Sequence, residues 1–473
     1  MSDAPHAEAE APDFKTRAGI ALADRTLKIA IDRTTNTAET KRAAAVGAFP
    51  EFEAARERGR AIKDHVIANL GHYLETFERN ATASGAKVHW AADDAEARAI
   101  VVRLCREAGA RSVTRSKSML GEEIGLPDAL AEAGIERVET DLAEHIIQLA
   151  GEHPSHIIWP AMHRTREQVA DLFREGHVPP PSAEDPGSMV RSARRVLREK
   201  FLGADVGISG ANFLIADTGA TCTVTNEGNA ELTTTPPRVH IVTAGIEKLV
   251  PSTAHAFALL RLLVRSATGG EMTQYTTFHR GPKRPGDADG PEEMHIVLVD
   301  NGRSRMLGDE FRDMLRCIRC GACMNHCVVY RQIGGHAYGG TYPGPMGAVL
   351  TPVLDGLAKS RDLPFACTMN GRCAEVCPVR IPLPTLLRAW RGRSWRENLE
   401  PRAMRAGLGL WAWVARRPRL YRLASGLGVR ALRLMGKGGW VGSVPLAGGW
   451  TAYRDLPRPS GKTFMEQYRG GRK

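Results

Sequence analysis

Two cysteine-rich stretches constrain this chain more than any other feature: CIRCGACMNHC at 317–327 and CTMNGRCAEVCP at 367–378. The first is C-x2-C-x2-C-x3-C through Cys317, Cys320, Cys323 and Cys327. That spacing lets three thiolates from one tight loop take three corners of a cubane, while the fourth reaches a second cluster, as in two-cluster bacterial ferredoxins. The second stretch offers Cys367, Cys373 and Cys377, closed by Pro378, and holds Asn370 where a fourth cysteine belongs. Zinc ribbons usually separate two C-x2-C pairs by a longer insert, so the spacing favours iron–sulfur over zinc.

Crossed ligation assigns Cys317, Cys320, Cys323 and Cys377 to one [4Fe–4S] cluster. The other would rest on Cys327, Cys367 and Cys373, with Asn370 at the vacant corner. An amide oxygen is a poor ligand for a soft iron–sulfide centre. Two outcomes stay open: a [3Fe–4S] cluster, or a [4Fe–4S] cluster whose last iron carries water or another oxygen. The Gly-, Pro- and Tyr-rich segment 338–354 reads as a cover over these centres or as an ordinary loop.

The chain has 473 residues, enough for two to four domains, and nine cysteines, seven of them between 317 and 377. An odd, clustered set argues for metal rather than disulfides. Cys105 and Cys222 lie elsewhere and read as small buried side chains. The opening MSDAPHAEAEAP has no apolar run, so a cytoplasmic location is expected. The apolar run AGLGLWAWVA, 406–415, is too short to span a bilayer as a helix.

Charge separates the tail from the rest. The net charge is +11, yet residues 388–437 alone carry +11 and 438–473 a further +4, leaving the first 387 residues at about −4. Trp390, Trp395, Trp411, Trp413, Trp440 and Trp450 alternate with these arginines. Charge alone would admit nucleic acid, but a basic amphipathic surface suits docking on a partner or on anionic lipid better, and no nucleic-acid role is expected.

The periodicity divides the chain into four parts. Residues 1–82 read as a helical segment, with apolar positions at three- and four-residue spacing. Residues 83–300 alternate strands and helices: KVHWA, then DDAEARAIVVRLCREAG capped by Asp93 or Asp94, then RSVTRS, IERVETD and SHIIWPAM as strands, and a strand-rich stretch from 205 to 250. This is α/β order, with a largely parallel sheet. Residues 301–390 carry the cysteines, and 391–473 form the basic Trp- and Arg-rich region.

No catalytic residue can be assigned. Oxidation of a hydroxy acid needs a base, a carboxylate clamp and a hydride acceptor. The G-x-G-x-x-A match at 426–431 follows no strand and lies in the tail, so it is not read as a nucleotide site. His145, His153, His156 and His163 read as helix-end and loop histidines, with a zinc site or a base as the alternative, and His163–Arg164 as the pair to test for substrate. Ser116, Lys117 and Ser118 follow a predicted strand, and Asn212, Thr218 and Glu227 sit in turns. They are read as scaffold or as the rim of a strand-end pocket.

Eight stretches carry a resemblance: FPEFEAARERGRAIKDH, RSKSMLGEEIGL, ETDLAEHIIQLAGEHPSHIIWPAMHRTREQVADLF, GISGANFLIADTGA with VTNEGN, HIVTAGIEKLVP, CIRCGACMNHC, GGTYPGPMGAVLTP and CPVRIPLP. Together they resemble the iron–sulfur subunit of the bacterial L-lactate utilization system, the LutB/LldF type. The resemblance implies a LUD domain with a NagB/RpiA/CoA-transferase-like α/β fold, an α-helical two-cluster ferredoxin domain, and a family-specific tail. It also implies a part in moving electrons during oxidation of L-lactate to pyruvate, with companion subunits. A quinone-linked acceptor or a peripheral contact at the inner face of the membrane are further partners to consider. The alternative is a hydroxy-acid-oxidising subunit that binds substrate in the LUD domain or at an open iron. Asn370 departs from the usual double motif.

Overall fold

The computed structural model describes residues 13–182, 185–444, 451 and 454–470, so the acidic opening and Trp450 lie outside the described residues. Four helices come first: α1 (Phe14–Ala23), α2 (Arg25–Gly47), α3 (Phe52–Ala68) and α4 (Leu70–Ala83). Asp13 caps α1 by accepting from the Thr16 N–H, and Asp24 caps α2 by accepting from Leu27. α4 buries Leu70, Phe77 and Ala81 along one face.

Ten strands follow: β1 (Lys87–Ala91), β2 (Ser112–Arg115), β3 (Glu136–Glu139), β4 (Val206–Gly210), β5 (Phe213–Ile215), β6 (Ala220–Thr225), β7 (Val239–Gly245), β8 (Leu249–Val250), β9 (Tyr275–His279) and β10 (Glu293–Val299). Six of them make one sheet in the order β1-β10-β7-β4-β2-β3, with every neighbouring pair parallel. Parallel sheets are covered on both faces, and β10 displays both. Val297 and Val299 join a core with Val101, Leu104 and Cys105 of the helix Asp94–Glu107. Ile296 and Leu298, one residue out of phase, join Phe77 and Ala81 of α4 on the opposite side. The helix Asp94–Glu107 is capped by Asp93, which accepts from the Glu96 N–H, and Gly109 follows its end at φ +67. A second sheet, β8-β5-β6-β9, sits beyond the ends of β4 and β7 in the chain.

The α/β order expected from sequence is present, with one correction. SHIIWPAM, 155–162, forms no strand. Its backbone turns back on itself, with Ser155 N–H donating to the Pro160 carbonyl at 3.0 Å. His156 Nδ1 accepts from the N–H groups of Ile158 and Trp159. A side chain takes the donors that a neighbouring strand would otherwise need, and Pro160 has none to offer. The reading also lacked the helix Pro186–Gly203 and the strand β9.

After β10 the chain runs to residue 396 without a strand, in short helices and turns. The N-terminal helices grip this region. From α3, Arg56 donates to the carbonyls of Cys377 (3.0 and 2.8 Å) and Glu375 (2.7 Å); from α2, Arg42 donates to Val376 at 3.0 Å; from α1, Arg17 donates to Ala337 at 3.1 Å. One compact unit therefore extends to Ser394, and a second runs from Trp395 to Lys473.

The second unit holds the helices Arg402–Ala415 and Pro418–Met435, which between them bury only Gly426. Arg417 lies over the Trp413 ring at 4.1 Å, and Arg405 over Trp395 at 4.6 Å. The G-x-G-x-x-A match lies within the second of these helices. Among the described residues, no helix is long and apolar enough to cross a membrane.

Gly207 in β4 marks the tightest approach to the sheet. A Cβ there would stand 1.8 Å from the Thr233 carbonyl oxygen, at the end of the helix Asn229–Thr234. Backbone cannot swing aside as a side-chain tip can. Gly207→Ala is expected to cost about 1–3 kcal/mol, whereas Gly203→Ala, with nothing within 4 Å, should be near neutral. Thermal unfolding of both variants checks the contrast.

Candidate cluster loops and strand-end cavity

The two cysteine stretches fold as near repeats. In CIRCGAC, Arg319 stands at φ +59 and Gly321 at +72; in CTMNGRC, Met369 stands at +60 and Gly371 at +86. Each loop then enters a one-turn helix, Ala322–Asn325 or Arg372–Glu375. The repeat puts Asn370 at the place of Cys320. Cys320 receives a hydrogen bond from the Ala322 N–H, two residues on, and Asn370 Oδ1 accepts from the Arg372 N–H, also two residues on, at 3.1 Å. The amide oxygen thus takes over the local hydrogen bond of the thiol. Surroundings differ: Cys320 is buried and Asn370 is exposed.

All nine cysteines are free thiols. Burial pushes Cys320 up to about 12, with Cys377 and Cys317 beside it acting the same way. Burial also pushes Cys373 up to about 12, here with Cys327 and Cys367 as neighbours. Cys323 is raised well above the ordinary thiol range, by burial first and then by Cys320 and Cys317. Five of these thiols are thus raised by burial, each with a neighbouring thiol acting the same way, a situation that a polycationic centre relieves. Backbone N–H groups already point at three further sulfurs: Ile381 to Cys377 at 3.3 Å, Met369 to Cys367 at 3.2 Å and Tyr330 to Cys327 at 3.5 Å. Such donors stabilise thiolate ligands. Among the described residues, no three Cys, His, Asp or Glu side chains converge on a single ion position. The all-thiol donor set, spaced as in two-cluster ferredoxins, fits iron–sulfur clusters. Cys105 and Cys222 are raised to about 12 by burial alone, far from these groups, and belong to the core.

A cavity of about 280 Å3 opens at the carboxyl ends of β2, β4 and β7. Ser116 and Lys117 reach it from β2, Asn212 from beyond β4, Glu247 and Lys248 from beyond β7, and Trp159 from the irregular 155–162 loop. Arg319, from inside the first cysteine loop, completes the wall. Parallel sheets place ligands at this end.

Under the cavity runs a buried ion network. Arg303 donates through Nε to Glu247 at 2.6 Å and through Nη1 and Nη2 to both oxygens of Glu123, at 2.8 and 2.7 Å. Arg319 donates to the second oxygen of Glu247 at 3.3 Å and lies 4.8 Å over the Tyr342 ring. Tyr342 donates to Glu123 at 2.7 Å. Gly245 makes the room: a Cβ there would meet Glu247 Oε2 at 2.1 Å.

The other residues singled out from sequence find local roles. Ser118 accepts from the Gly121 N–H and caps a short helix. Thr218 accepts from Ala220 in the β5–β6 turn and does not line the cavity. Asn212 accepts from Val224, and Glu227 accepts from Leu142 at 3.1 Å; both line it. His163 and Arg164 both turn to Glu152, away from the strand-end cavity. His145 bonds His177 at 3.0 Å, and burial, then His177, lowers it to about 4. His153 offers its carbonyl to His336. His156 is buried, is lowered by that burial to about 3, and donates through Nε2 to Asn325 of the first cysteine loop at 3.2 Å. Sequence reading missed Lys248, Arg303 and Arg319. The one available signal was the Glu-Lys pair directly after the buried run VHIVTAGI.

Burial would raise the Glu247 carboxyl, but Arg303 and then Arg319 overcome it and hold the group at about 2, below its ordinary 4.5. A depressed carboxyl stabilises the folded chain above its unfolded pKa, and that contribution is lost as pH falls through the folded value. Glu247→Gln is expected to cost about 3 kcal/mol at neutral pH. The gap between wild-type and variant urea midpoints should narrow as pH drops from 4.5 towards 2.

Comparison with known proteins agrees in each region. Residues 74–299 match the LUD domain, 313–381 the 4Fe-4S dicluster domain, and 375–470 the C-terminal domain of lactate utilisation protein B. Lactate utilization protein B of Bacillus thuringiensis (strain Al Hakam) is 40% identical over 465 residues, covering 97% of each chain. The uncharacterized electron transport protein YkgF of Escherichia coli (strain K12) is 40% identical over 463 residues, covering 97% of this chain and 96% of the relative. A DUF162 family protein of Deinococcus radiodurans aligns at 13% identity and TM-score 0.29, over 49% of this chain and 98% of its own, too low a score to bear on the fold. With relatives this similar along nearly its full length, the chain belongs to the lactate utilization protein B family.

Proposed function

We propose that this chain is the iron–sulfur electron-transfer subunit of a lactate-utilization system and acts with companion subunits in the oxidation of L-lactate to pyruvate. The observation that carries this reading is the pair of repeated cysteine loops, folded with their thiols grouped inside the same compact unit as the LUD sheet. In this reading 83–300 is a LUD domain of NagB/RpiA/CoA-transferase type, 301–390 a helical ferredoxin domain, 1–82 the helical segment that clamps it, and 391–473 the docking tail.

Cys317, Cys320, Cys323 and Cys377 would hold a first [4Fe–4S] cluster. Cys327, Cys367 and Cys373 would hold a second, [4Fe–4S] or [3Fe–4S], with Asn370 at its open corner. When bound, such clusters supply one-electron carriers. The chain's own residues do the rest. Arg56 fixes the Cys377 carbonyl, and so the only ligand that the second stretch lends to the first centre. Arg42, held on Val376, puts positive charge near Cys320 and Cys377. Free thiols throughout suit a reducing cytoplasm. The basic tail suits acidic companion surfaces, with a quinone-linked or membrane-bound acceptor further along the chain of transfer.

The purified holo-chain is expected to accept electrons from dithionite, to leave lactate untouched with an artificial dye, and to support lactate turnover once its companion subunits are added. Dye-linked lactate oxidation by the chain alone would overturn the assignment.

The ligand sets separate in two substitutions. Cys320→Ser should lose the first cluster and about half of the bound iron, since serine is a harder ligand. Asn370→Cys should retain iron under mild oxidation that strips one iron from the wild type, read by paramagnetic resonance and iron counts. Equal iron retention in wild type and Asn370→Cys would mean that another group closes the corner.

A further inference from the structure

The strand-end cavity contains two polar groups that the fold leaves idle. Ser116 is 3% exposed; its N–H is used by the Ile208 carbonyl, yet its hydroxyl has no partner. Lys248 forms no hydrogen bond or ion pair with any described residue, although every other cation of this wall is engaged. Arg303 is spent on Glu123 and Glu247, Arg319 on Glu247, and Lys117 on the Ile158 carbonyl. A buried hydroxyl without a partner costs stability, and the half-buried Lys248 ammonium beside it on the same cavity wall is unused, so together they suit a ligand.

Charge and size narrow its chemistry. The acidic side, Asp141 and Glu227, is occupied by the N–H groups of Ala143, Glu144 and Leu142. The opposite side presents the free ammonium beside Arg319. Burial, followed by Arg319, lowers Lys248 to about 8 against the pull of Glu247, so it is still mostly charged at neutral pH, while both oxygens of that carboxylate are taken by Arg303 and Arg319. About 280 Å3 falls just under the roughly 300–1,000 Å3 of pockets for drug-sized ligands, which favours a metabolite of a few heavy atoms over a nucleotide. Trp159, Leu263 and Val264 give one side an apolar lining for a short carbon chain.

The geometry points to a binding site for a short 2-hydroxy or 2-oxo carboxylate, with the carboxylate on Lys248 and the Ser116 hydroxyl serving the polar groups of the acid. This deepens, and rests on, the reading of the chain as a lactate-utilization subunit. The site adjoins the first cysteine loop, because Arg319 belongs to both and the Cys317 thiol lies within electrostatic reach of Lys248. A bound anion would therefore be felt at the first cluster as a more negative reduction potential.

Calorimetric titration of the cluster-loaded chain with lactate, pyruvate, acetate and inorganic phosphate tests this. Lactate or pyruvate is expected to bind at least tenfold more tightly than acetate or phosphate and to shift the first cluster's potential downward. Lys248→Gln should weaken binding tenfold or more, and Ser116→Ala should narrow the preference over acetate, both with cluster absorbance intact. No heat with either acid, equal affinity for phosphate, or an unchanged affinity in Lys248→Gln would each overturn the site. In that last case a shifted potential would assign Lys248 to the cluster alone. Lactate turnover in the assembled system is measured in parallel. Turnover without binding here removes the site and leaves the electron-transfer reading standing; binding without turnover does the reverse.

Discussion

The Glu123–Arg303–Glu247–Arg319 network is the constraint on which the arrangement depends. Its members come from the helix after β2, the turn after β10, the turn after β7 and the first cysteine loop. Arg303, Glu123 and Glu247 are each at most 3% exposed at the side chain. Removing one partner from such a group strands a charge in a poor dielectric, and the cost exceeds what a surface pair could contribute. The network therefore fixes the cysteine loop against the sheet at one relative position. Lys63 of α3 adds a buried ammonium on the Glu247 and Leu249 carbonyls, so the N-terminal helices close on the same point.

What could be read in the sequence was what is local. β7 and β10 are rich in apolar residues and buried almost end to end because both faces are covered, and Asp93 and Gly109 punctuate their helix with their own chemistry. The cysteine spacing is a loop property and survives without any knowledge of the fold. The network is the opposite case. Arg303 and Arg319 stand 56 and 72 residues from Glu247, and nothing in either neighbourhood distinguishes them from surface arginines. The 155–162 loop misled for a related reason. Ser-His-Ile-Ile-Trp has the composition of a strand, but His156 satisfies its own backbone and anchors to Asn325, 169 residues away. Helices at 13–82 were legible; that Arg42 and Arg56 would hold the second cysteine stretch was not.

The repeat between the two loops gives Asn370 a physical meaning that the missing cysteine alone did not. Asparagine accepts the N–H that shapes the turn, so the loop keeps the conformation of its partner loop while an amide oxygen stands where the first loop has a thiol. Asn370 is exposed where Cys320 is buried, so the loop that departs from the repeat is the one open to solvent. The first loop, by contrast, buries Cys320 and Cys323 and is tied by Arg319 to the ion network.

The tail follows a different logic. Its helices expose Leu410 at 64%, Trp411 at 62%, Leu423 at 61% and Leu434 at 85%. Arginines at 402, 405, 419, 422, 430 and 433 run among these residues along the same two helices, and Arg416 and Arg417 join them in the turn between. Scattered exposed apolar residues are ordinary, but several on two adjoining helices amount to a surface that water covers poorly. Guanidinium groups stacked on Trp395 and Trp413 keep the rings partly shielded and present charge outward. Such a surface is suited to an acidic partner whose own apolar residues complete the burial: charge brings the two together, and contact area holds them. Electron transfer between subunits requires that order of events, since a carrier must find its partner quickly and hold it in one orientation.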